Sequence, residues 1–291
     1  MRRCVYLLLF LALATSTSAQ TAPTYQSEIN TLADRLTQDI QQSSTSGPPP
    51  KALVIDFVNQ KGNVNPLGEQ LADTLSDALQ VRLAPKDIIA HHLFLQSLHA
   101  TGLSPVDLLD SDALQWNAAR AGATLIITGR LFAFTKSTTL QVDLIRLSDS
   151  KGLSSASADL TVSPNARKLL NDPLNWPPTP NVALDCGPLQ SDAMVAAFAE
   201  AGITPPKCAK CSVPPRANPD RDDTWKGVVK LKAVVNEKGR VISAVTTYGD
   251  PYGIFQGTEK DVREWRFNPA TKDGKPVSVC MRLQVIFKTH P

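Results

Sequence analysis

The sequence is short of the residues on which most catalytic and metal chemistry runs. Only four histidines occur in 291 residues, and none stands in an HExxH relation. There is no glycine-rich phosphate loop and no nucleophile elbow. Charge of one sign is also missing. Thirty lysines and arginines against 27 acidic residues leave +3, with no basic run that would track nucleic acid or an anionic membrane. Nor is there a long hydrophobic run. The apolar stretch Val5 to Ala14 would span ~15 Å as a helix, half the core of a bilayer, and no later stretch reaches ~20 residues. These absences argue against an enzyme and against a nucleic-acid partner. They imply no cofactor, metal or small-molecule substrate.

What is present starts at the N-terminus. Arg2 and Arg3 precede the apolar run, and small residues follow it up to Thr17-Ser18-Ala19. Residues 1–19 therefore read as a secretory signal cleaved after Ala19, with a periplasmic product. An uncleaved membrane anchor is the alternative. Cysteine usage fits export: removing Cys4 with the signal leaves Cys186, Cys208, Cys211 and Cys280 as disulfide candidates, with three connectivities open.

Periodicity divides the remainder. Ile29, Leu32, Ala33, Leu36 and Ile40 recur at helical spacing, and Leu67, Leu71, Leu75, Ala78 and Leu79 mark a second amphipathic helix opened by Asn65-Pro66. Between them lies ALVIDF, of strand length. Two more helical stretches, 91–101 and 105–121, precede the paired strands TLIITGRLFAF and TTLQVDLIRL and a weaker strand around Ala156–Val162. The order β-α-α-α-β-β-β predicts an α/β domain with a mixed sheet over residues 24–165. Prolines then crowd residues 166–220, read as a semi-stiff linker carrying cysteines. Residues 221–291 form a second domain. Val229, Leu231, Ala233 and Val235 alternate with Lys230 and Lys232, Gly239 supplies the turn, and a second strand runs 241–248. Thr258 caps a short helix ending in Trp265 and Phe267, Pro269 stops it, and Asp273-Gly274 turns the chain. A last strand then alternates Val277, Val279, Met281, Leu283, Val285 and Phe287 with Ser278, Cys280, Arg282 and Gln284. The order is β-β-α-β, and the fold class of the whole is α+β.

Candidate chemistry is thin. Cys208-Ala-Lys-Cys211 could be a thiol redox pair, but prolines flank it and no strand precedes a helix there, so structural disulfides fit better. The histidines read as surface or boundary residues. Asp107, Asp110 and Asp112 cluster in SPVDLLDSDAL, with Ser104 and Asp112 as helix caps. Trp265, Phe267, Pro269 and Gly274 read as scaffold. The last strand is more informative. A three-stranded unit leaves a long edge unpaired, and this edge has no internal proline, so it can add a strand from a partner. Val277, Val279, Met281, Arg282, Leu283, Gln284, Val285 and Phe287 would line it, and a plain edge or a homodimer contact is the alternative.

GVVKLKAVVNEKGRV, the string EWRFNPA and KDGKPV before the alternating strand together resemble the C-terminal domain of the TonB family. That resemblance implies a periplasmic module whose edge strand pairs with the TonB-box peptide of outer-membrane receptors, in transmembrane transport. It also raises a membrane-tethered energy transducer as an alternative. The leading helix with ALVIDFVN, NPLGEQLADTLSDAL and AGATLIITGRL is similar to the TolB N-terminal and FlgO-like envelope domains. This second likeness implies an envelope interaction module without catalysis.

Overall fold

A computed structural model describes residues 25–43, 49–134, 137–174, 198–199, 201–212, 226–249 and 257–288. The expected signal segment, Cys4, Cys186 and His290 lie outside them.

The N-terminal unit is a mixed sheet between two helical layers. Helix α1 (Gln26–Gln42) buries the stripe Ile29, Leu32, Ala33, Leu36 and Ile40. Helix α2 (Pro66–Gln80) starts where Asn65 accepts a bond from the Gly68 amide, with proline at the first position. Strand β1 (Ala52–Val54) runs parallel to β3 (Ile88–Ile89) and to β4 (Leu125–Ala133). Strands β4, β5 (Thr138–Arg146) and β6 (Gly152–Leu160) form an antiparallel meander, and β2 (Val58–Asn59) also pairs with β4. The order is β3-β1-β4-β5-β6. Alternation along the strands feeds two cores. Ala52, Val54, Leu125 and Ile127 join α1 and α2, while Leu53 and Ile126 join α3 (His91–Thr101) and α4 (Ser111–Arg120). The expected single helix over 105–121 is instead a 3-10 turn, Pro105–Leu109, followed by α4. Asp110 breaks it by accepting bonds from the Asp112 and Ala113 amides, so the cap is Asp110 and not Asp112.

The C-terminal unit is built on β9 (Lys226–Val235), β10 (Val241–Tyr248) and β14 (Val279–Lys288), antiparallel in the order β10-β9-β14. One face buries Val229, Leu231, Ala233, Val235, Leu283, Val285 and Phe287 against Val262, Trp265 and Phe267. Helix α6 (Thr258–Arg263) is shorter than the periodicity suggests, and its N-cap is Gly257 rather than Thr258. Bonds from Glu264 N to Asp261 O and from Trp265 N to Val262 O close it. The chain then leaves as strand β11 (Arg266–Asn268), because the Phe267 amide donates to Gly239 O at 2.8 Å. Gly239 has φ +71°, and a Cβ there would strike the Phe267 carbonyl, so only glycine fits this turn.

Strands β12 (Ala270–Lys272) and β13 (Lys275–Val277) form a two-residue hairpin. Asp273 and Gly274 both take positive φ there, the turn that right-twisted strands favour. Val277 therefore belongs to β13, opposite Ala270, and not to the edge strand, which begins at Val279. The stretch read as linker is partly structured. Helix α5 (Pro164–Lys168) closes the first unit. Strand β7 (Ile203–Thr204) pairs with β12, and β8 (Lys207–Lys210) pairs with β11. The unit therefore has more strands than β-β-α-β, and it recruits residues 203–210.

Candidate functional site

The three-stranded sheet has two edges, and they differ. At the β10 edge the Thr246 amide donates to Glu259 Oε1 at 2.7 Å, and Arg263 Nη2 donates to the Ala244 carbonyl at 3.3 Å. Glu259 and Arg263 are one turn apart on α6, so a single helix face occupies the edge groups of β10. That strand is also irregular at both ends, with register shifts between Val241 and Ser243 and between Thr246 and Tyr248. Side-chain plugs and bulges are the means by which proteins blunt an edge.

Strand β14 is regular. It pairs with β9 through ten consecutive positions without a shift, and among the described residues no strand lies on its other side. The β10 bonds also fix which β14 groups point outward. In an antiparallel pair, residues opposite one another turn their main-chain groups either toward each other or both away. Ala244 and Thr246 turn theirs away from β9, so their partners Ala233 and Leu231 turn theirs toward β14. The Lys230 carbonyl agrees, since it faces β10 and accepts from Thr247 Oγ1 at 3.2 Å. Ala233 and Leu231 lie opposite Met281 and Leu283. By alternation Met281, Leu283 and Val285 serve the internal ladder, and the main-chain groups of Cys280, Arg282, Gln284 and Ile286 face away from β9.

Side chains follow the second alternation. Val279, Leu283, Val285 and Phe287 are buried in the core, with Met281 packed at its margin. Gln284 and Ile286 are exposed on the opposite face. Arg282 is not free on that face: its Nη1 donates to Asp110 Oδ2 at 2.7 Å, reaching the N-terminal unit. Trp265 and Phe267 are both core residues 6.4 Å apart, and Trp265 Nε1 donates to the Ser212 carbonyl at 3.1 Å. Pro269 is half-buried between β11 and β12.

Residues 220–289 match the family model described as Gram-negative bacterial TonB protein C-terminal. That stretch is similar to the TonB C-terminal domain. No curated protein matches the chain. Solved structures similar to it include the LpoB C-terminal domain from Escherichia coli, at 17% identity over 47% of this chain and 98% of that chain, TM-score 0.36. The LpoB C-terminal domain from Salmonella enterica has 16% identity over 47% and 97%, TM-score 0.35. Lipoprotein GNA1162 from Neisseria meningitidis has 13% identity over 52% and 95%, TM-score 0.31.

The cysteines of the TonB-like domain and its lead-in are oxidised. Cys208 and Cys211 form a disulfide with Cα atoms 6.0 Å apart, and they stand on β8 and just after it, not at a helix N-terminus that would acidify a thiol. Cys211 packs against the TonB-like core. Cys280 is also disulfide-bonded.

One titratable cluster was not visible in the sequence. His91, expected at a surface or boundary, is completely buried in the N-terminal unit. Its Nε2 lies 2.8 Å from Asp56 Oδ1 and its Nδ1 lies 2.7 Å from Asp73 Oδ1, and its amide donates to Ser76 Oγ. Burial works against the charged ring, but the two carboxylates outweigh it and raise the pKa to about 9. The His91 hydrogen bond holds the Asp73 carboxyl below its ordinary range against the effect of burial. Glu69 is pushed up by burial and by the charge of Asp56. Both ring nitrogens are committed to carboxylates, so the ring offers no lone pair to a substrate. The cluster ties the end of β1 and the face of α2 to the start of α3.

Proposed function

We propose that the protein is a periplasmic binding protein of a Gram-negative envelope, which captures an extended peptide of an envelope partner by adding it as a strand beside β14. The difference between the two sheet edges carries this reading: Glu259 and Arg263 occupy β10, whereas β14 turns Arg282, Gln284 and Ile286 outward in unbroken register. Main-chain bonds would supply affinity, and pockets for alternate side chains would supply selectivity. A guest strand would set one face of its side chains beside Met281, Leu283 and Val285 and the other beside Gln284 and Ile286. It is therefore an amphipathic segment. The match of residues 220–289 to the TonB C-terminal family supports a TonB-box-like peptide of an outer-membrane receptor as that guest, and a role in transport. Binding, rather than catalysis, is the activity this reading assigns.

Gln284→Pro tests it. Proline removes one outward amide and is tolerated on an edge whose N–H faces solvent. The variant should keep wild-type circular dichroism and lose most of its pull-down of outer-membrane receptors from envelope extract. Equal receptor recovery by the two folded proteins would sink the proposal. Leu283→Pro is the contrast, because it breaks the internal ladder and should unfold the unit. A second reading, a transducer tethered by an uncleaved N-terminus, would show in the mass of the exported chain. A mature protein beginning near Gln20 removes it.

A further inference from the structure

Lys230 and Lys232 alternate with the buried residues of β9, as solvent-facing lysines would. They are not solvent-facing. Lys232 is 5% exposed, and its Nζ lies 3.1 Å from Asp107 Oδ2 of the N-terminal unit, where Asp107 is 1% exposed. Lys230 Nζ lies 2.5 Å from Asp112 Oδ2 and 3.6 Å from Asp110 Oδ2, and Arg282 reaches Asp110 from β14. Three carboxylates on one turn thus meet three cations on two neighbouring strands, and the charges balance. Burial alone would raise the Asp110 pKa, but the Ala113 amide, Lys230 and Arg282 bring it below its usual range. The same carboxylates hold Lys230 above its usual range despite partial burial.

Two uncharged contacts lie beside the ion pairs. Val245 of β10 sits in the N-terminal cluster with Leu103, Leu108 and Ala118. Asn117 Nδ2 on α4 donates to the Thr247 carbonyl at 3.2 Å. A lysine buried on a strand is costly unless a carboxylate is delivered to it. Here the carboxylate comes from more than a hundred residues away and already closes its own turn. Asp107 Oδ2 also accepts from the Ser104 amide and hydroxyl, which fixes it before the lysine arrives.

We infer that the acidic turn Asp107–Asp112 is an internal docking surface for the part of the TonB-like sheet's outer face that carries Lys230, Lys232 and Arg282, and that the two units move as one rigid body. The inference stands apart from the proposed guest.

The test uses the full chain and nitrogen-15 relaxation. Amides of β4 and β9 should report one common correlation time in the wild type. Asp107→Asn with Asp110→Asn removes two charges and keeps both caps, since asparagine caps as well as aspartate. In that variant the common correlation time should be lost, with each unit tumbling faster while its own amide pattern is retained. Independent tumbling in the wild type would overturn the inference, and so would unchanged tumbling in the doubly neutral variant. Receptor pull-down on the same proteins scores the strand-addition reading separately.

Discussion

His91 shows how much one buried ring can govern. The charged groups facing it are Asp56, Asp73 and Glu69, with His92 beside Asp73. Its folded pKa, about 9 against an ordinary 6.5, is raised, so the imidazolium stabilises the fold fully below about pH 6.5 and the gain is lost as pH climbs through 9. The shift corresponds to about 3 kcal/mol. Asp73 acts in the opposite sense: its depressed pKa gives stability above the ordinary carboxylate range, lost in acid. Urea midpoints should therefore fall between pH 7 and 9 in the wild type. His91→Gln should be less stable at pH 6 and nearly flat over the same interval; an equal alkaline fall in both proteins would place the titration elsewhere. Sequence reasoning missed this cluster for a plain reason. The carboxylates lie 35 and 18 residues away, and nothing in the adjacent pair His91-His92 says which ring turns inward.

Elements were legible in proportion to their length. The ten-residue alternation of β14 and the helical stripe of α1 can be read directly, because each repeats its period several times. Strands β7 and β8, of two and four residues among prolines, are too short to show a period, and they acquire strand character only from β12 and β11. Helix α6 reads too long because Trp265 and Phe267 are two apart, a strand spacing hidden behind a helical start. Periodicity also cannot say what covers a face. The polar side of β9 and β14 was visible, but its cover was not, since Asp107 and Lys232 are 125 residues apart. The plug at β10 makes its own prediction. Glu259→Ala with Arg263→Ala removes the partners of the Thr246 amide and the Ala244 carbonyl, so Thr246 should exchange with deuterium much faster while Ala233 and Leu231 stay protected. Unaltered exchange at Thr246 would show that the side chains do not guard this edge.

For the molecule as a whole, the unequal edges set a valence. A sheet open on both sides can hand its neighbour on to a third copy and grow without limit, whereas a sheet open on one side cannot. With β10 plugged, a single guest at β14 as proposed, or one second copy meeting β14 to β14, would satisfy the sheet, and the contact would close on itself. Strand pairing at β14, as proposed, would then be a terminating event that adds one partner without seeding fibres.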